Sequence, residues 1–286
     1  MSPLNTSFRP PGGRPTMLLR PDRVRAPVIV VSCHSGRDYP QAFRSQSRLT
    51  AHQLRFSEDA FVDDLFGAAP LYGMPLLVAT FPRAYCDANR EKWELDPAMF
   101  ADTLPQGVRV SGPRIDAGLG TIARVVANGQ PIYREKLRFH EAEQRIETCW
   151  QPFHDQLRGL IDETRARFGR CIVIDCHSMP PVWGAEEARP AFVLGDAHGA
   201  ACSASVTKKM EGAIEKVGEK CAINNPYSGG YITKYYGNPR IKVDVIQLEV
   251  PRVLYMRDPD IMAGDEYNMM RRKMEKLITL FSAAFE

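Results

Sequence analysis

The stretch Cys171-Ile-Val-Ile-Asp-Cys-His-Ser-Met-Pro180 decides the fold. Cys171 to Asp175 is an unbroken, largely β-branched apolar run, which reads as a strand buried on both faces. Cys176, His177 and Ser178 follow where that strand is expected to end, and Met179-Pro180-Pro181 is expected to stop it. Polar side chains at the carboxyl end of an apolar strand occupy the place where open α/β sheets hold ligands. On its own the pattern also fits a solvated turn carrying a surface histidine.

Upstream, Ile146, Trp150, Phe153, Leu157, Leu160 and Thr164 step by threes and fours. That periodicity predicts a helix over Glu141 to Phe168, capped by Gly169. A helix feeding a buried strand is half of a parallel crossover unit. Val28 to Ser32 is a second buried strand, and it too runs into Cys-His-Ser, at Cys33-His34-Ser35. Further strands are expected at Met74 to Ala79, Phe192 to Asp196, Cys221 to Asn224 and Val243 to Val250. Helices are expected over Phe56 to Phe66 with Ser57 as N-cap, over Ser203 to Val217, and along the C-terminal face of Tyr267, Met270, Met274, Leu277 and Phe281. Asn225 to Thr233 reads as a glycine-rich loop without a phosphate-binding pattern. The order of elements predicts one α/β domain over 28–286, with a mixed, mostly parallel central sheet flanked by helices. Residues 1–27, rich in Pro, Arg and Gly, read as an extended or surface-wrapped leader. Residues 109–133 read as a flap-like excursion, with Thr121 to Ala127 strand-like and a hairpin turn at Asn128-Gly129.

Composition narrows the class. Apolar content of 44%, charged content of 25% and a formal net charge of +3 suit a soluble enzyme and give no sign of a nucleic-acid partner. No apolar run is long enough to cross a membrane, and the leader lacks the apolar region of a signal peptide, so a cytoplasmic protein is expected. The seven cysteines form no CxxC pair and several lie in apolar runs, as small buried hydrophobes do in a reducing compartment. Nothing in the sequence indicates an oligomeric state.

Two strand ends therefore carry His34 and His177. Two imidazoles and one carboxylate are a standard catalytic zinc set, with a fourth position left for water. Asp38, Glu58, Asp59, Asp63 and Asp175 are the candidates for the acid. There is no HExxH, and Arg37 stands where a His-x-x-Glu would need its acid. His52, His140 and His198 lie in polar surroundings, and His154 is a group to watch beside the site. Glu249 lies inside an apolar strand, where an acid is costly unless paired. It reads either as a sheet-end acid paired with Arg252 or as a general base with a raised pKa.

In this order, His34-Ser-Gly36, Ser57-Glu-Asp59, Arg83 through Arg90, Gln151 through Leu157, Asp175-Cys-His-Ser178, Asn225 through Thr233, Tyr236-Gly-Asn-Pro239 and Ile246-Gln-Leu-Glu249 resemble the N-formylglutamate amidohydrolases. These are zinc hydrolases related in fold to the zinc carboxypeptidases (phosphorylase/hydrolase-like) and to deacylases such as aspartoacylase. The resemblance covers roughly residues 28 to 257. It implies His34, Asp59 and His177 as ligands of one zinc ion, other divalent metals being chemically acceptable. It implies Glu249 as the catalytic acid/base. It implies Asn89 and Arg90 as a grip for a substrate carboxylate, Arg83 for the carboxylate or the oxyanion, and Gly230 and Tyr231 on a loop near the substrate. The implied substrate is a small N-acyl amino acid bearing carboxylates, N-formyl-L-glutamate first, cleaved to formate and glutamate in histidine degradation. Another N-acyl amino acid, a carboxylate-ended peptide, or an inactive binding homologue are the alternatives. The excursion at 109–133 is longer than in shorter members and leaves the acyl group and amino acid open.

Overall fold

A computed structural model describes residues 13–180, 191–258 and 260–286. Among the described residues seven strands form one sheet: β1 (Thr16–Leu19), β2 (Val28–Ser32), β3 (Leu76–Ala79), β4 (Cys171–Met179), β5 (Phe192–Gly195), β6 (Cys221–Ile223) and β7 (Val243–Pro251). Their order is β1-β3-β2-β4-β7-β5-β6. β3, β2, β4 and β7 run parallel, as do β5 and β6, while β1 and β5 meet β3 and β7 antiparallel. The sheet is mixed and mostly parallel, as its β-branched runs require.

Alternation along the strands sorts the core into two faces. Val28, Val30, Ile172, Ile174 and Ile246 face a layer with α2 (Ala204–Lys216) and α4 (Tyr267–Phe285), which contribute Val206, Met210, Met274 and Leu277. Ile29, Val31, Val173 and Val245 face Phe153, Leu157 and Leu160 of the helix Gln151–Phe168. Each such side chain, fully buried, stabilises by about 1.5–3 kcal/mol. α1 comprises Phe139–Arg145, a π turn at Ile146–Trp150 and Gln151–Phe168. It ends at Gly169 in the left-handed region (φ 71°).

Local expectations change at five places. β4 runs on to Met179, so His177 lies inside the strand rather than past its end; Pro181 falls outside the described residues. No helix spans Phe56 to Phe66. A 3-10 turn at Arg55–Ser57 and a short helix at Val62–Leu65 are separated by extended Glu58 and by Phe61 at φ 68°. Ser57 is not an N-cap there: its Oγ accepts the Ala127 amide at 3.1 Å. Tyr231–Tyr236 is a short helix, α3, rather than loop. The hairpin turn at Asn128-Gly129 forms, with Val126 N donating to Gln130 O, Ile132 N to Arg124 O and a bridge between Val125 and Pro131, but the run before it is not a strand. Within residues 1–27, Thr16–Leu19 adds an edge strand to the sheet.

Candidate metal centre and active site

The sheet delivers the two histidines from adjacent strands. His34 follows β2, and His177 sits on β4, which pairs β2. Asp175 and His177 are two residues apart, so ordinary alternation puts both on the α1 face, without any bend of the strand. The segment after Ser57 is brought in by its backbone: the Asp59 amide donates to the His34 carbonyl at 3.0 Å. Gly36 lets the chain after His34 pass against the Thr80–Phe81 backbone. A Cβ there would lie 2.1 Å from the Phe81 carbonyl oxygen, so only glycine lets these chains approach.

His34 Nε2 lies 2.7 Å from Asp87 Oδ1, and His177 Nε2 lies 3.0 Å from Asp175 Oδ2. A ring N–H directed at each carboxylate leaves each Nδ1 with its lone pair. Both Nδ1 atoms face one oxygen: Asp59 Oδ2 is 3.4 Å from His34 Nδ1 and 2.9 Å from His177 Nδ1. His34 Nδ1 is buried and makes no hydrogen bond among the described residues. Lone pairs facing a carboxylate need a cation between them. The other oxygen, Asp59 Oδ1, accepts from Ser178 Oγ at 3.1 Å and Arg252 Nη2 at 3.2 Å. The acid is thus turned so that one oxygen is left for the histidines.

Electrostatics point the same way. Burial opposes charge on Asp59, yet the adjoining His177 and His34 rings hold it well below the usual carboxylate range. Burial and Arg83 oppose protonation of His34, but surrounding negative groups, Asp87 and Asp59 among them, push it up to about 10. His177 is likewise raised, against burial, with Asp175 the leading cause. Protons on the two rings stand in for a positive charge between them. The donor set (two imidazole nitrogens, one carboxylate oxygen, both rings backed by carboxylates) fits a zinc ion.

Cys33, His34 and His177 also have ligating atoms within 4.8 Å of one another. The geometry favours Asp59 over Cys33. Cys33 Sγ lies 3.9 Å from His177 Nε2, the nitrogen already turned to Asp175.

Glu249 neighbours His177 across the β4–β7 ladder. Its Oε1 accepts from Gln247 Nε2 at 2.7 Å. Burial pushes the carboxyl up to about 7, with His177 opposing and Asp59 and Asp175 adding to the rise. The pairing with Arg252 does not occur. Arg252 is spent on Ser178 Oγ, the Glu58 carbonyl, Asp59 and Asp258. Glu249 is left facing a cavity of about 680 Å³ that also exposes His34, Asp59 and His177.

The remaining candidates divide. Arg83, Asn89, Arg90 and Gly230 line that cavity; Tyr231 is not among its lining residues. Tyr231 instead sits in an aromatic cluster, 4.9 Å from Tyr235 and 5.6 Å from His154 between ring centres. Tyr227 is the tyrosine that lines the cavity. Arg83 Nε donates to Asp87 Oδ2 at 2.9 Å. Arg90 donates to the Leu119 and Asn89 carbonyls, and its Nη2 is buried without a hydrogen bond among the described residues. Asn89 is committed to the protein: its Oδ1 accepts the Ile232 amide at 2.8 Å and its Nδ2 donates to Asp175 Oδ2 at 3.4 Å. A Cβ on Gly230 would fall 2.4 Å from Asn89 Nδ2, which explains the glycine.

Sequence reasoning missed Asp87, which orients His34 and binds Arg83. Its signal was an acid between two arginines in Arg83 through Arg90, four residues from Arg83 and three from Arg90. It also missed Ser178 and Arg252 on Asp59. His154 is buried, its Nε2 donating to the Ala88 carbonyl and its Nδ1 2.9 Å from Tyr236 Oη. Burial lowers its pKa to about 4. It braces the segment before Asn89 and does not touch the histidine pair. His52, His140 and His198 are exposed.

This arrangement has relatives. The crystal structure of N-formylglutamate amidohydrolase from Ralstonia eutropha JMP134 superposes with a TM-score of 0.87 at 31% identity, covering 94% of this chain and 97% of that one. An N-formylglutamate deformylase of Pseudomonas putida is 26% identical over 243 residues, 82% of this chain and 84% of that protein. A gene product of Agrobacterium tumefaciens, at 17% identity and a TM-score of 0.62, shares the fold. The N-formylglutamate amidohydrolase family model matches residues 26–256, from just before β2 to just after β7, and so takes in both histidines, Asp59 and Glu249. The chain belongs to the N-formylglutamate amidohydrolase family.

Proposed function

We propose that the protein is a zinc-dependent amidohydrolase that cleaves N-formyl-L-glutamate to formate and glutamate. His34, Asp59 and His177 would hold the ion. The observation that carries the proposal is the convergence of two Nδ1 atoms on one Asp59 oxygen, beside a buried Glu249 facing a basic cavity. A zinc ion held there supplies the positive charge that acidifies a water and stabilises negative charge on the formyl oxygen.

The chain's own residues do the rest. Glu249, as carboxylate, takes a proton as water oxygen bonds to the formyl carbon. The resulting carboxyl gives that proton to the amide nitrogen as the C–N bond breaks. Giving up that proton returns Glu249 to carboxylate; the second water proton passes to the amine or to solvent, and formate and glutamate leave. Arg90 Nη2, buried and without a hydrogen bond among the described residues, binds a substrate carboxylate. Arg83 lies beside His34 and Asp87, where a guanidinium can support the oxyanion. Asn89 contributes by holding Asp175 and α3 in place. Glutamate and formate as products suit histidine breakdown, and a cytoplasmic setting suits the free thiols.

The acyl and amino-acid preference is tested directly. Formate release from N-formyl-glutamate is expected to exceed amine release from N-acetyl- and N-succinyl-glutamate. Equal or greater rates on the larger acyl groups would assign the site to a different N-acyl amino acid.

A further inference from the structure

Charge in the cavity does not balance locally. Among its lining cations, Arg55 pairs with Glu58 at 3.0 Å, and Arg252 pairs with Asp59 and Asp258. Arg83 pairs with Asp87. Arg90 Nη2 shares the same Asp87 oxygen only at 3.7 Å and without a hydrogen bond, so one carboxylate faces two guanidinium groups. Arg114 and Lys234 also line the cavity, and neither side chain has a hydrogen bond or ion pair among the described residues.

Arg114 comes from the excursion, on a single helical turn at Pro113–Asp116. That turn is anchored. Ile115 is buried, and the Leu119 amide donates to the Arg114 carbonyl at 2.8 Å. The Leu119 carbonyl accepts from Arg90 Nε, also at 2.8 Å. One residue therefore ties the two arginines together. Just beyond, the Thr121 carbonyl accepts the Asp87 amide at 2.7 Å, joining the excursion to the residue that orients His34. The charge of Arg114 is felt at Arg90 and at Tyr227, both on the cavity wall. Two like charges held near each other at a solvent-filled cavity call for a ligand with two anionic ends.

We propose that Arg114 is a specificity-determining residue that reads the side-chain carboxylate of an N-acyl dicarboxylic amino acid, while Arg90 takes the α-carboxylate. This rests on the amidohydrolase reading of the site. The excursion would then select acidic over neutral amino acids of the same shape.

The test compares N-formylglutamate with N-formylglutamine, its neutral near-isostere, on the zinc-loaded protein. Wild type should favour the glutamate substrate in kcat/KM by roughly 10- to 100-fold, the range for one hydrogen bond between charged groups. Arg114→Gln should erase that preference through KM for N-formylglutamate, leaving the glutamine substrate unchanged; Arg114→Lys should restore part of it. Lys234→Gln, which removes another lining cation, should preserve the preference. Retention of the preference in Arg114→Gln, equal loss on both substrates, or loss in Lys234→Gln instead would overturn the assignment. Calorimetric binding of free glutamate against glutamine gives a readout independent of turnover. No formate from either substrate, with Arg114-dependent preference for glutamate still present in binding, would sink the amidohydrolase reading and leave this inference standing. Absence of that binding preference in wild type would sink the inference.

Discussion

Glu249→Gln should keep zinc and lose turnover, with kcat falling by about 10²- to 10⁴-fold and KM little changed. The amide preserves the volume and can still accept the hydrogen bond from Gln247. It cannot take a proton. The pH dependence carries the same signature. Burial places the carboxyl near 7 in the protein without metal, and a bound cation moves it lower. Glu249 works as a carboxylate, so activity should rise with pH along an acidic limb below about 7. The residual activity of Glu249→Gln should lack that limb. Metal analysis together with a pH–rate profile checks both halves. Full activity, or an unchanged acidic limb, would remove Glu249 from the reaction.

His177→Ala should be worse, because it acts on the ion itself. The substitution deletes one of three proposed ligands and strips Asp59 and Asp175 of the imidazole between them. Loss of a group that merely orients a ligand typically costs 10- to 100-fold in affinity, so loss of the ligand should weaken zinc by at least about 100-fold. Activity should fall in parallel. Buried carboxylates left without a counter-charge should also lower stability. Competition with a chelator reads the affinity, and denaturation reads the stability. Wild-type zinc affinity in this variant would contradict the assignment and return attention to Cys33.

The parts of this site that could be read from sequence are those fixed by strand periodicity. His34 and His177 each follow an apolar run, and Glu249 interrupts one; that Asp175 shares the face of His177, and that Glu249 stands beside it, emerges only with the straight β4 strand and its register on β7. The groups that could not be read are those whose role depends on contacts across the sheet. Asp87 and Arg252 are ordinary charged residues until folding sets them on His34 and Asp59. The helix expected over Phe56 to Phe66 had a plausible cap and face. It fails because Asp59 is drawn to the His34 carbonyl, Ser57 is taken by Ala127, and Phe61 turns left-handed between them. Tertiary hydrogen bonds outweigh a helix propensity worth tenths of a kcal/mol per residue. The π turn at Ile146–Trp150 was equally invisible, since its apolar steps match those of an α-helix. Its effect is to set Trp150 on the Arg90 carbonyl, at 3.0 Å from Nε1. Tyr231 was placed by resemblance rather than by any local signal, and α3 turns it to Trp150 and His154 instead of the cavity.

If His34, Asp59 and His177 hold a zinc ion that works on an N-formyl amide, metal and turnover must rise and fall together. Formate release from N-formylglutamate is to be measured in three states of one preparation: as purified, after chelation, and after zinc is returned. Activity that vanishes on chelation and returns in proportion to zinc bound, saturating at one ion per chain, is the expected result. Formate release that survives complete removal of metal would contradict the account.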